Sequence, residues 1–271
     1  MIRLGTSSYI IPADIIPNVE FLRDKVDDVE LVLFESREAS NIPGPDVIGE
    51  LSRLASENGL TYTVHLPYDV KAGSADEDER RHAVDMWVRI IGITRVLPVH
   101  GFIVHLEPER YRNPDGTPCL RPADDVPAWT DRVRRSMKEL RERTQGLTEP
   151  SMLCVETLSY DLMTILPDIL DNGFSVTLDV GHLWLNGLYN PSYVSKLLPH
   201  ARIIHLHGVE GLRDHQSLAV NDSLRLKGFL DILKEHRESD LVLTLEIFSR
   251  KDLEESLQVL EEMEAFRWLS T

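Results

Sequence analysis

Cysteine is almost absent from this chain: two residues in 271, Cys119 and Cys154. Two cysteines cannot build the disulfide framework of a small secreted domain. Cys154, inside the apolar run SMLCVE, reads as a small buried hydrophobe. Basic charge is scarce as well, with 29 Lys and Arg against 45 Asp and Glu and a net charge of −16. No Lys/Arg cluster stands out, so the basic face expected of a protein that grips duplex phosphates is missing. Bound divalent cations weaken that exclusion, because they put positive charge where a phosphate would sit. The acid-rich runs DEDERRH and DLEESLQVLEEMEAF read as solvated helix faces. No run reaches the roughly 18 apolar residues a membrane span needs. The opening MIRLGTSSYIIP enters a strand pattern at once and lacks the regions of a signal peptide, so the cytoplasm is the expected compartment.

What is present is a repeating pattern. Strand-like apolar runs end in a histidine or an acid: ELVLFE at Glu35, TYTVH at His65, GFIVH at His105 and SMLCVE at Glu156. They continue with SVTLD at Asp179 (His182 just beyond), RIIHLH at His207 and LVLTLE at Glu246. An eighth run, RLGTSSY, opens the chain and ends in hydroxyls. Such a series, always at the C-terminal end of a run, suggests parallel strands closed into a ring that aims nitrogen and oxygen ligands into one pocket.

Helical periodicity and capping signals fill the intervals: Asn18–Val26, Pro45–Asn58 with Gly59 as a stop, Glu77–Leu97, Val126–Arg143, Tyr160–Asp171, Pro191–Leu198, Leu224–His236 and Lys251–Phe266. Strands alternating with helices imply βαβ units and a parallel sheet. Eight of each imply an α/β fold, a single (β/α)8 TIM barrel over residues 1–271, close to the typical size of about 250 residues. The longest connection, Glu107 to Pro127, follows the fourth strand and is expected to act as a lid or recognition loop on the catalytic face.

Side chains alternate along a barrel strand, so His205 and His207 both face inward with Leu206 outward, and His105 and Glu107 share that parity. His207 is the better ligand. His205 is either a support behind the ligands or a core histidine, and both readings stay open. Imidazole with carboxylate suits Zn2+, Mn2+ or Fe2+. Glu156, Asp179, His207 and Glu246 already fill one site; His65, His105, His182 and His215 are surplus, and Glu35 could add to them. One metal does not need that surplus, whereas two or three do. His82, His100, His200 and His236 fall on helices or at helix ends and receive no role.

These residues carry a resemblance. His65-Leu-Pro-Tyr68 followed by Gly73-Ser74, Glu156-Thr157, Asp179-Val-Gly-His182, His207, His215-Gln-Ser-Leu218 and Glu246 are similar to motifs of the xylose isomerase-like TIM-barrel superfamily, in its endonuclease IV branch of metal-dependent phosphodiesterases. The resemblance runs over nearly the whole chain and is strong only in short motifs. It implies His65, His105, Glu156, Asp179, His182, His207, His215 and Glu246 as ligands of a two- or three-metal cluster, with Zn2+ the expected ion. The family's Asp two residues before the final His is replaced by Arg213, and the span from His207 to His215 is shorter, so the third metal is the least supported. GTSSYIIPADIIPNVEFL and HLHGVEGLRDHQSL also look like the cobamide-remodelling phosphodiesterases of that superfamily. This implies removal of the nucleotide loop of a corrinoid to give cobinamide.

In a reaction of that kind divalent cations activate water and neutralise charge on phosphate oxygens. Glu156 would bridge cations or flank the nucleophile, Glu246 would join it in catalysis, and Tyr68 and Arg213 would contact a small-molecule phosphodiester. The alternatives are a sugar isomerase or epimerase using Glu156 and Glu246 for proton transfer, an abasic-site DNA endonuclease, and a non-catalytic binding barrel. Neither nucleic acid nor membrane is an expected partner.

Overall fold

Strands buried on both faces, with side chains alternating between them, organise the molecule. The computed structural model describes residues 1–36, 38–107 and 126–270. Its first half runs β1 (Ile2–Ser7), α1 (Ile15–Leu22), β2 (Asp28–Val32), α2 (Pro45–Asn58), β3 (Thr61–His65), α3 (Glu77–Thr94), β4 (Val99–Val104) and α4 (Val126–Arg143). Its second half runs β5 (Leu153–Glu156), α5 (Leu166–Asp171), β6 (Ser175–Asp179), α6 (Val180–Leu185), α7 (Pro191–Leu197) and β7 (Ala201–Leu206). It continues with β8 (Gly208–Glu210), β9 (Arg213–Gln216), α8 (Ser223–Glu235), β10 (Leu241–Leu245), α9 (Arg250–Glu262) and β11 (Leu269–Ser270). Strands β1 to β7 and β10 form a parallel sheet in sequence order, and β10 pairs with β1 from Ile2↔Leu241 to Thr6↔Leu245. The sheet is therefore a closed eight-stranded barrel. β11 adds to β1 at Ile2↔Leu269, and β8 and β9 make a separate antiparallel hairpin after β7.

Closure sorts the side chains into two populations. Ile2, Leu4, Val29, Leu31, Tyr62, Val64, Leu178, Ile204, Leu206 and Leu243 face the helix layer and join one contiguous apolar core. The opposite parity faces the barrel axis, and there the only separate apolar cluster among the described residues is Ile103, Cys154 and Ile203. Gly101 makes this narrow interior possible: a Cβ there would lie 2.9 Å from Ile203 Cδ1 and 3.1 Å from Cys154 Sγ. Toward the N-terminal strand ends, Arg3 reaches His100 Nδ1 at 2.8 Å and Asp240 at 3.1 Å, and Arg202 donates to the His100 carbonyl at 2.5 Å. Toward the C-terminal strand ends the interior positions become polar, and these build the candidate site.

Helices α2 and α4 occupy the spans their periodicity predicts. Gly59, at φ 71°, ends α2 in the left-handed conformation that glycine adopts without penalty. α1 starts earlier than predicted, at Ile15, because Pro17 sits in its first turn, where a missing N–H costs nothing. The segment expected as one helix over 160–171 breaks into a 3₁₀ turn and α5 just before Pro167, which cannot continue the hydrogen-bond ladder. Helix α6 and the β8–β9 hairpin are additions that the periodicity does not predict. His100 lies in strand β4, buried, and not on a helix as expected. DEDERRH is not wholly a solvated face either. Asp76 caps α3 by accepting from the Asp78 and Glu79 amides, and Arg80 is buried between Glu77 (2.8 Å) and Glu139 (2.9 Å). The expected lid over Glu107 to Pro127 falls mostly at 108–125, outside the described residues, as does Cys119. Cys154 is buried and free. Among the described residues no helix is long and apolar enough to cross a membrane.

Asp28, inside the barrel on β2, accepts from Thr61 Oγ1 at 2.7 Å and from Thr63 N and Oγ1 at 3.1 and 2.9 Å. Burial outweighs those bonds and pushes its carboxyl up to about 6, with Glu30 adding to the shift. A folded value above the unfolded one stabilises the fold below about pH 4, and that contribution is lost as pH rises through about 6. Asp28→Asn, which resembles the protonated acid, should therefore gain on the parent as pH rises. Chemical denaturation at about pH 5 and about pH 8 should show the gap widening by roughly 1 to 1.5 kcal/mol; a pH-independent gap would contradict this assignment.

Candidate metal centre

The C-terminal ends of the parallel strands deliver the polar side chains to one mouth. His65 ends β3, Glu156 ends β5 and Asp179 ends β6, while His105, His207 and Glu246 follow closely on β4, β7 and β10. Asp179 also caps α6, its Oδ1 accepting from the His182 amide at 2.6 Å, and this sets His182 one turn beyond it. His215 arrives from β9 of the hairpin.

These residues form adjoining groups whose ligand atoms lie within 4.8 Å of one another. One is His65, His105 and Glu156; a second is Glu156, Asp179, His205 and Glu246; a third is His182, His207 and His215. A fourth, Glu30, His65 and Glu246, lies alongside. Glu156 belongs to two groups, and His207 Nε2, 3.3 Å from Asp179 Oδ1, links the second to the third. All eight expected ligands therefore come together.

Backbone carbonyls fix how the imidazoles point. His65 Nδ1 is 3.0 Å from the Leu66 carbonyl, His182 Nδ1 is 3.3 Å from that of Thr157, and His215 Nδ1 is 3.0 Å from that of Glu246. A carbonyl only accepts, so in each neutral ring Nδ1 carries the proton and Nε2 keeps its lone pair, the arrangement typical of metal-binding histidine. His215 holds φ at 50°, a left-handed conformation rare outside glycine. In that conformation its amide reaches His207 Nδ1 at 3.0 Å.

Several buried atoms here have no hydrogen-bond partner: Glu30 Oε1, His105 Nδ1, Asp179 Oδ2, His207 Nε2 and Glu246 Oε2. Buried polar atoms left without a hydrogen bond are costly, and the set of imidazole nitrogens and carboxylate oxygens fits Zn2+, Mn2+ or Fe2+. The electrostatics agree. Burial opposes charge on His65, yet Glu156, Glu30 and Glu246 outweigh it and raise the ring to about 9. Burial likewise opposes charge on His207, and Asp179 raises it to about 9. Burial also works against the acids, but His105 and His205 hold Glu156 well below the carboxylate range, and His205 and His215 hold Glu246 at about 2. A pocket that stabilises positive charge this strongly is suited to cations.

Sequence reasoning missed Glu30, and Glu35 took its place as the candidate from that strand. β2 ends at Val32; beyond it Glu35 bridges to Ser40 and pairs with Arg89 of α3, so it does not join the centre. Alternation was the available signal, since Val29 and Leu31 enter the outer core and leave Asp28 and Glu30 facing inward. His205, left open by the sequence, is fully buried, with Nε2 2.8 Å from Glu30 and Nδ1 3.2 Å from Glu156 and 3.1 Å from Glu246. With acids at both nitrogens it braces carboxylates and has no free lone pair to offer. Tyr68 is 55% exposed at the rim, its ring centroid 6.1 Å from His65 and 5.9 Å from His105. The Arg213 side chain is 70% exposed on the hairpin and paired with Glu210.

Comparison with known proteins agrees with this geometry. The sequence profile of the family described as "Xylose isomerase-like TIM barrel" matches residues 24–268. No curated protein sequence matches significantly. Among solved structures, a D-tagatose 3-epimerase-like protein is 19% identical over 97% of each chain, with a TM-score of 0.74. A 3-keto-D-glucoside 4-epimerase from E. coli is 15% identical over 98% of this chain and 100% of its own, with a TM-score of 0.73. Endonuclease IV from Thermus thermophilus is 18% identical over 96% of this chain and 99% of its own, with a TM-score of 0.68. At these identities the likeness establishes the fold.

Gly181 offers a direct test of the centre. A Cβ at this position would fall inside the His207 imidazole. Gly181→Ala should displace that ring and weaken metal binding by about tenfold or more, measured by chelator competition, while circular dichroism stays unchanged. Unaltered affinity would show that His207 holds no metal.

Proposed function

The chain belongs to the xylose isomerase-like TIM barrel family, and from its histidine-rich ligand set we propose that it is a metal-dependent phosphodiesterase. The observation that carries this reading is the surplus. Glu156, Asp179, His207 and Glu246 suffice for one cation, yet His65, His182 and His215, each with a backbone carbonyl at Nδ1, also stand around them and leave Nε2 as the ligand atom. Two or three divalent cations, Zn2+ foremost, would supply Lewis-acid activation of water and neutralise charge developing on phosphoryl oxygens.

The chain's own residues would position and orient. Glu156, shared between two ligand groups, joins the His65–His105 side to the Asp179–Glu246 side. Thr157 ties the same region together, donating to the Asp179 carbonyl at 3.2 Å, accepting from the Asp179 amide at 2.8 Å and orienting His182 through its own carbonyl. Tyr68, beside His65 and His105, would contact the substrate at the rim, and Arg213 would reach it from the hairpin. We propose a small-molecule phosphodiester as substrate, specifically the nucleotide loop of a cobamide, supported by the similarity of GTSSYIIPADIIPNVEFL and HLHGVEGLRDHQSL to the cobamide-remodelling enzymes. In this reading the chain works as a single domain in the cytoplasm, without nucleic acid or membrane.

A second reading is a sugar epimerase, favoured by the D-tagatose 3-epimerase-like protein and the 3-keto-D-glucoside 4-epimerase among the structural neighbours. Glu156 and Glu246 both contact His205 and could exchange protons with a substrate held between them. Product analysis separates the two. Metal-loaded protein given an intact adenosylated cobamide should release cobinamide and a phosphorylated nucleoside; inert cobamide together with an interconverted ketose would establish the epimerase, and cleaved abasic DNA an endonuclease. In the hydrolase, His65→Ala or His105→Ala should lower turnover by about a hundredfold or more and reduce bound metal. Near-native turnover with full metal in both variants would exclude a multi-metal hydrolase.

A further inference from the structure

Glu30 lies on the inner side of the cluster, at a position that none of the eight expected ligands occupies. It is fully buried, and its two oxygens differ. One, Oε2, is 2.8 Å from His205 Nε2, while Oε1 has no partner. Glu246 Oε2 is buried beside His205 Nδ1, at 3.1 Å, and one ligand atom each of Glu30, His65 and Glu246 lie within 4.8 Å of one another. His65 contributes Nε2, since its Nδ1 is committed to the Leu66 carbonyl. His205 faces Oε2 of both acids but leaves Glu30 Oε1 unmet, and a buried carboxylate oxygen in that position calls for positive charge beside it.

We propose that Glu30 is a metal ligand: the cation bound by His65 is also held, on its inner side, by the free oxygen of Glu30, with Glu246 beside it. The added carboxylate raises the oxygen share of that ligand set, which favours Mn2+ relative to Zn2+. The proposal rests on the metal-centre reading and not on phosphodiester hydrolysis. Metal binding is measured without substrate, so failure of either idea is recognised separately.

The test compares the parent with Glu30→Gln, His205→Asn, His65→Ala and the Glu30→Gln/His65→Ala double variant. Mn2+ and Zn2+ affinities come from chelator competition, metal per chain from elemental analysis, and folding from circular dichroism. Gln keeps one oxygen for His205 but lacks the charge and the second oxygen. The expected result is a loss of Mn2+ affinity of about tenfold or more in Glu30→Gln, a smaller loss for Zn2+, and no further loss when it is added to His65→Ala, because both changes act on the same cation. Unchanged binding in Glu30→Gln overturns the proposal. So does an equal loss in the His65→Ala background, or a His205→Asn variant that reproduces the effect, since either makes Glu30 a brace acting through His205. Should Glu30→Gln not fold, Glu30→Asp, which keeps the charge but withdraws the oxygen by one methylene, takes its place with the same outcomes.

Discussion

Four carboxylates, Glu30, Glu156, Asp179 and Glu246, sit almost without solvent inside the mouth of a barrel, and the architecture depends on how their charge is met. An isolated buried carboxylate costs several kcal/mol, and that penalty is offset only by close, well-placed partners. Imidazoles supply them. Glu30 meets His205; Glu156 meets His65, His105, His182 and His205; Asp179 meets His182, His205 and His207; Glu246 meets His205 and His215. His205 touches all four acids and therefore has a structural part that its place beside a ligand histidine hides. Glu156, Asp179 and Glu246 stay ionised, and the rings of His65, His182, His205 and His207 are pushed toward their charged forms. The same field that draws protons to the rings attracts metal ions.

The backbone carries much of the precision. The carbonyls of Leu66, Thr157 and Glu246 orient three rings, and backbone groups do not drift with rotamer choice. Two local features accept a cost for this geometry. His215 adopts a left-handed conformation so that its amide can support His207, and Gly181 gives up a side chain so that the His207 ring has room. Helix α6 belongs to the same device, because it exists where Asp179 caps it and it returns His182 to the mouth.

Glu156, Asp179, His207 and Glu246 would suffice for one cation. At the rim, His65, His105, His182 and His215 would serve further cations. The fold is common to epimerases and to an endonuclease among the structural neighbours. It therefore does not choose between them, and the proposed hydrolysis rests on those rim residues.

Much of this was legible in the amino-acid order. Strand runs ending in His or acid, separated by helical stretches, determine a parallel barrel, because a βαβ chain places every strand's C-terminal end on the same face. That rule alone brings His65, His105, Glu156, Asp179, His207 and Glu246 together, and the one-turn offset from Asp179 adds His182. Glu30 opens the run that Glu35 ends, and the run-end rule picks Glu35; the barrel decides otherwise, because β2 leaves the sheet after Val32 and turns Glu35 toward Arg89. The role of His205 was equally out of reach, since it depends on acids from strands β2, β5 and β10 that only closure brings around it. Sequence determines which side chains reach the mouth, through strand direction and a two-residue alternation. Only tertiary structure decides which of them face one another across the ring, because those distances are set by closure and not by spacing along the chain.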